Sequence, residues 1–145
     1  MKKILLLGSG ELGKELTISL KRMGCYVVTC DAYENAPAMQ VSDMAEVFNM
    51  LDKVKLNEII NKHEPDFIVP EVEAIATEVL LEAETNGYTV IPSAKAVNLT
   101  MNRDRIRDRA KSLGLTTARF AYAETEEELI LEAKKIGSKV AVKPV

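Results

Sequence analysis

Three stretches carry residue types at spacings that could do chemistry. Gly8-Ser9-Gly10-Glu11-Leu12-Gly13 has G-x-G-x-x-G spacing. Between a strand and a helix, such a turn brings backbone close to a ligand, and the helix start offers unpaired N–H groups. Asp31, at the end of the next apolar run, completes a dinucleotide-binding pattern. Glu11 argues against that ligand. It stands at the helix start, where a pyrophosphate would sit; the helix dipole stabilises its charge, but the charge would repel a dinucleotide and would suit hydroxyls or an amine. The plainer roles are a favourable helix-start charge for Glu11 and a cap on the exit turn of its strand for Asp31. The second stretch is Pro70-Glu71-Val72-Glu73-Ala74-Ile75-Ala76-Thr77. Open parallel sheets bind ligands beyond the carboxyl ends of their strands. Glu11 and Glu71 are therefore expected to face one crevice and to hold sugar hydroxyls or an amine by charge-assisted hydrogen bonds. Glu73 reads as a helix-start charge. The third stretch sets Arg103, Arg105, Arg107 and Arg109 on alternate positions. That spacing does not gather them on one helix face, so they read as solvated surface.

The elements that must position these residues alternate. Ile4–Leu7 reads as a buried strand, and Glu11–Met23 as a helix with Leu12, Leu16, Leu20 and Met23 at helical spacing, stopped by Gly24. Tyr26–Cys30, Glu46–Met50, Phe67–Val69 and Thr89–Ile91 read as further strands. Val54–Lys62 and Ala74–Glu84 read as helices. This alternation implies crossover connections and a mostly parallel, doubly wound, Rossmann-like sheet. Beyond it, residues 94–113 read as polar helix, Arg119–Tyr122 as a short strand, the segment from Thr125 as a helix with a capping box to Glu128, and Val140–Val142 as a last strand.

Composition bounds the function. The 145 residues are 47% hydrophobic and 28% charged with a net charge of -3, enough apolar content for a core and no basic stripe for nucleic acid. No run of 18 apolar residues suggests a membrane span, and the amino-terminal apolar run is too short for a signal peptide. Cys25 and Cys30 lack metal-ligand spacing and read as free thiols of a reducing cytoplasm.

Gly8-Ser9-Gly10-Glu11-Leu12-Gly13-Lys14-Glu15, Ala36-Pro37-Ala38-Met39, the Pro70–Thr77 stretch, Thr100-Met101-Asn102-Arg103 and Val142-Lys143-Pro144-Val145 occur in this order. Over essentially the whole chain the set resembles the formate-dependent phosphoribosylglycinamide formyltransferases of the ATP-grasp superfamily. The sibling carboxyaminoimidazole ribonucleotide synthetases usually have Gln at the place of Glu11 and a Thr-x-Glu-type motif in place of Pro70-Glu71. The departures are Thr116, where proline is common, and Gly137-Ser138-Lys139, which lacks an aromatic–proline pair.

The resemblance implies a Rossmann-like pre-ATP-grasp domain over residues 1–93, a helical connector over 94–114 and the truncated start of an ATP-grasp domain over 115–145. It implies that ATP and magnesium activate formate as formyl phosphate, which the amine of phosphoribosylglycinamide attacks in purine biosynthesis. Glu11, Leu12 and Glu71 match substrate-binding positions, and Arg103 and Lys143 match ATP-binding positions; no catalytic residue and no metal ligand is assigned. The flexible phosphate loop, the magnesium ligands and the basic residues for the substrate phosphate are expected beyond Val145, so the chain alone is expected to be inactive. The partners implied are small molecules, with no nucleic acid or membrane, and a homodimer for the full-length cytoplasmic protein. Two alternatives are another ATP-grasp ligase, such as a carboxyaminoimidazole ribonucleotide synthetase, and a regulatory NAD-binding module.

Overall fold

The computed structural model describes residues 1–137 and 139–143. By backbone proximity the chain divides into two compact units, Met1–Asn98 and Leu99–Val145.

The first unit is a five-stranded, all-parallel sheet. Its strands are β1 (Lys3–Leu7), β2 (Tyr26–Asp31), β3 (Met44–Val47), β4 (Phe67–Pro70) and β5 (Thr89–Val90), in the order β3-β2-β1-β4-β5. β1 pairs Leu7 with Cys30 on one side and with Pro70 on the other. The chain winds outward from β1 through β2 to β3, then crosses back to β4 and β5. The order reverses between β1 and β4, and it is at such a reversal, beyond the carboxyl ends of the strands, that open parallel sheets bind ligands.

Helices α1 (Glu11–Arg22), α2 (Lys53–His63) and α3 (Thr77–Thr85) make three of the four crossovers, and a short 3-10 helix, Pro37–Gln40, lies in the β2–β3 connection. Right-handed connections put α1 on one face of the sheet and α2 and α3 on the other. Leu16 and Leu20 of α1 pack against Ile4, Leu6 and Val27. Leu5 and Leu7 alternate to the opposite face, while α2 and α3 bury Leu56, Ile59, Ile60, Val79 and Leu80. Leu5, Leu6 and Leu7 are fully buried, each contributing about 1.5–3 kcal/mol by the ordinary measure of apolar burial. α2 starts because the Asp52 carboxylate accepts the Val54 and Lys55 N–H groups at 3.0 and 3.1 Å. It stops at Glu64, which takes a left-handed conformation with φ 42°.

The expected α/β architecture is present, with shifted boundaries. β3 spans Met44–Val47 rather than Glu46–Met50, because Asp43 donates its N–H to the Val27 carbonyl and starts the pairing earlier. α3 starts at Thr77 rather than Ala74. The Glu71 and Val72 N–H groups bond to the Leu7 carbonyl, and the Ala76 N–H bonds to that of Met50. Those bonds hold Glu71–Ala76 across the end of the sheet as a loop.

After β5, residues 94–113 are two helices, α4 (Ala94–Thr100) and α5 (Arg103–Ser112), with extended backbone at Asn102 between them. α6 (Glu126–Ile136) starts as expected: the Thr125 hydroxyl accepts the Glu128 N–H at 3.2 Å, while the Glu128 carboxylate accepts the Glu124 N–H at 2.9 Å. The strands expected at Arg119–Tyr122 and Val140–Val142 are absent; both runs are coil. A strand needs a neighbour for its backbone groups, and the segment near Tyr122 is held by a helix instead. The Tyr122 hydroxyl donates to the Asp104 carbonyl at 3.0 Å and lies 3.2 Å from the Asp108 carboxylate.

Candidate functional site

The glycine turn lies at the carboxyl end of β1, and each glycine answers a different demand. Gly8 has φ +122°, and a Cβ there would lie 2.6 Å from Glu71 Oε2 and 2.8 Å from Val72 Cγ1. At Gly13 a Cβ would lie 2.8 Å from the Gly8 carbonyl oxygen, so the absent side chain lets α1 pack close to the turn. At Gly10 a Cβ would meet nothing within 4 Å, and φ is -70°. The fold does not demand glycine there.

Glu71 follows β4 directly and lies against Gly8. Its Oε2 is buried and has no hydrogen-bond partner, and it is the one such side-chain atom found among the described residues. Burial, then the charges of Asp31 and Glu73, push the Glu71 carboxyl above its ordinary range. The buried, unpaired Oε2 of the half-buried Glu71 is an acceptor without a donor at the carboxyl end of β4.

Glu11 and Leu12 occupy the first turn of α1. Both are exposed, and Leu12 is 75% exposed. Glu11 and Glu71 thus stand at the carboxyl ends of the neighbouring strands β1 and β4, as expected. Glu73 lies in the loop before α3 instead of opening that helix. Arg103, in the first turn of α5, and Lys143 are both exposed and belong to the second unit. The motif residues Pro144 and Val145, like Ser138, lie outside the described residues.

Asp31 does more than its position in the chain suggests. Its Oδ1 accepts the Ala32 N–H at 2.8 Å, the exit-turn cap, and its Oδ2 accepts the Ser9 N–H at 2.8 Å. The Asp31 pattern position was visible in the sequence; that it reaches into the glycine turn was not, because strand register decides it. Cys30 is buried, and burial, then the charges of Glu46 and Asp31, push its thiol far up, which leaves it an inert packing residue. Among the described residues, no group of three or more His, Cys, Asp or Glu could hold a metal ion. No helix is long and apolar enough to cross a membrane.

A doubly wound parallel sheet with a glycine-rich first turn, and carboxylates at its switch point, defines a Rossmann-like domain. Residues 1–101 match the ribonucleotide synthetase pre-ATP-grasp domain, and the chain belongs to that family. It is 57% identical over 144 residues to the formate-dependent phosphoribosylglycinamide formyltransferase of Erythrobacter litoralis, covering 99% of this chain and 37% of that protein. A solved structure described as glycinamide-RNase-transformylase T from Mycobacterium tuberculosis superposes with a TM-score of 0.81 at 34% identity, over 90% of this chain and 38% of that one. N5-carboxyaminoimidazole ribonucleotide synthetase from Thermotoga maritima gives 0.77 at 26% identity, over 91% and 36%. The chain spans little more than a third of the length of the curated relatives it matches.

Proposed function

We propose that this chain is the acceptor-binding part of a formate-dependent phosphoribosylglycinamide formyltransferase. In that reaction ATP phosphorylates formate, and the glycinamide amine attacks the formyl phosphate, giving the formylated amide, ADP and phosphate. The observation that carries the reading is the dry, unpaired Glu71 Oε2 at the switch point, where an amine or hydroxyl donor would complete its hydrogen bonding. Glu71 and Glu11 would take the polar groups of the acceptor, and Leu12 would offer apolar contact beside them. The identity with the formyltransferase relatives, against 26% to the synthetase structure, favours this reading over the sibling ligase. The Asp31–Ser9 bond disfavours the NAD-binding alternative, since the acid that pattern reserves for a ribose is engaged within the chain.

Arg103 and Lys143 are the proposed ATP contacts, as fixed positive charge for a phosphate chain. Magnesium belongs to the proposed reaction, and no residue of this chain is assigned to it. The proposed division is a pre-ATP-grasp domain over 1–93, a connector over 94–114 and the beginning of an ATP-grasp domain over 115–145. Small-molecule partners alone, a cytoplasmic location and a homodimer for the full-length protein complete the proposal.

Binding to the chain itself tests this. Phosphoribosylglycinamide added to the isotopically labelled chain should shift the amide signals of Gly10, Glu11, Leu12 and Glu71, and NAD should not. Glu11→Gln and Glu71→Gln should each weaken that binding about tenfold, the scale of one charge-assisted hydrogen bond. Shifts with an aminoimidazole ribonucleotide alone would move the assignment to the sibling ligase. The chain alone should release no ADP. A full-length protein carrying it should release ADP only when both formate and phosphoribosylglycinamide are present.

A further inference from the structure

Ser9 is fully buried, and each of its polar groups is used inside the fold. Its N–H goes to Asp31 Oδ2 at 2.8 Å and its hydroxyl to the Cys30 carbonyl at 2.9 Å. Its carbonyl accepts the Ala38 N–H at 2.9 Å. One N–H that a glycine-rich turn could direct at an anion is therefore already taken, and by a carboxylate. The register explains how: Leu7 lies opposite Cys30, and the Gly8 N–H bonds to the Cys30 carbonyl, so Asp31 comes level with the turn. On the other flank of β1, Glu71 lies against Gly8. The turn thus runs between two acids, one bound to its backbone and one with a free oxygen.

We propose that Asp31 is a specificity-determining positioning residue: it locks the Gly8–Gly10 turn through Ser9 and sets negative charge on the flank of that turn opposite Glu71, so that the site takes an amine and rejects a diphosphate. Asp31 touches no substrate. It acts through the turn that presents Glu11 and Leu12, and through the field at Glu71, whose carboxyl is held up by burial first and by Asp31 ahead of Glu73. The inference rests on the acceptor reading for the identity of the ligand, but not for the lock itself.

Carboxyl-carbon NMR titration of the 145-residue chain tests the lock without any ligand. In Asp31→Asn the Glu71 midpoint should move down towards the ordinary carboxylate range, and the Ser9 amide should lose hydrogen-exchange protection. If Asp31→Asn does not fold, the unmutated chain supplies the test: the Ser9 amide signal should follow the titration of Asp31, and the Glu71 signal should show an inflection at the same pH. A Glu71 midpoint unchanged in Asp31→Asn, or a Ser9 amide that is flat through the Asp31 titration, overturns the proposal. Phosphoribosylglycinamide should bind Asp31→Asn about tenfold more weakly. Weaker binding with an unmoved Glu71 midpoint would reduce Asp31 to a structural residue and overturn the proposal as well. A Ser9 amide that follows Asp31 in a chain that binds no phosphoribosylglycinamide keeps the lock and overturns the acceptor reading.

Discussion

At the scale of single residues, the crevice depends on an absent side chain. Gly8 is constrained twice, by its positive φ and by the 2.6 Å that would separate a Cβ from Glu71 Oε2. Val72 Cγ1, 2.8 Å from the same Cβ position, closes a second direction to an added side chain. Gly8→Ala is expected to cost about 2–3 kcal/mol, adding overpacking to backbone strain. It should also push Glu71 out of its dry position. Urea unfolding reads the first effect, and a Glu71 titration shifted back to the ordinary range reads the second. A Gly8→Ala chain of unchanged stability would mean that the turn relaxes freely and that Glu71 is not held by it. The sequence made Glu11 and Glu71 legible as candidates, because glycine spacing and strand ends locate a switch point without coordinates. It could not reveal the Gly8–Glu71 approach or the Asp31–Ser9 bond, since each depends on the register between strands distant in sequence.

At the scale of the elements, the acids Asp66, Asp43 and Glu46 are paired, in contrast to Glu71. Asp66 takes the Lys3 N–H at 2.7 Å and the Lys2 ammonium at 2.6 Å. Asp43 takes the Val27 N–H at 2.7 Å and pairs with Lys21. On β3, Glu46 takes both His63 and Lys62 of α2 at 2.7 Å. The Lys2 and Lys3 bonds hold the Asp66 carboxyl below its usual range. Burial pushes Asp43 and Glu46 up, but the bonds to Lys21 and Val27, and to Lys62 and His63, outweigh it and hold both below. A depressed folded pKa stabilises the fold above the ordinary carboxylate range, and that stability is lost as pH falls through the folded values. The chain should therefore weaken progressively in acid below that range. Glu46→Gln should cost about 1 kcal/mol near neutrality, the scale of a partly exposed charged pair, and should flatten the acid decline. Urea midpoints between pH 7 and pH 3 measure both, and parallel curves for the two proteins would refute the tie. The elements themselves were legible where periodicity was long and apolar, as in β1, β2, α1 and α2. β3 and α3 were misplaced by two or three residues because bonds from Asp43 and Ala76 to distant carbonyls decide where pairing and helix begin. The two late strands were misread because a short apolar run looks the same whether or not a neighbouring strand exists to pair with it.

At the scale of the whole molecule, the two units differ in how they hold together. Every buried residue among those described lies in Met1–Asn98, the last being Val97. α5 and α6 bury none of their residues. Leu113, Leu115, Ile130, Leu131 and Val142 are 48–65% exposed. Helices of 10 and 11 residues are marginal in water without a buried apolar face. The second unit therefore has little to resist local opening, whereas the first has an open sheet covered on both faces. The expected result is two classes of backbone amide in native-state hydrogen exchange. Those of β1, β2, β4 and α2 should open only with global unfolding, and those of α5 and α6 should exchange with protection factors near unity. Truncation after Asn98 carries the same argument into equilibrium: if the core belongs to the first unit alone, the shortened chain should keep its unfolding free energy in urea to within about 1 kcal/mol of the 145-residue chain, a surface-scale change. A loss of several kcal/mol, or strong protection in α6, would show that Leu99–Val145 contributes to the stability of the sheet and that the burial pattern misses the coupling.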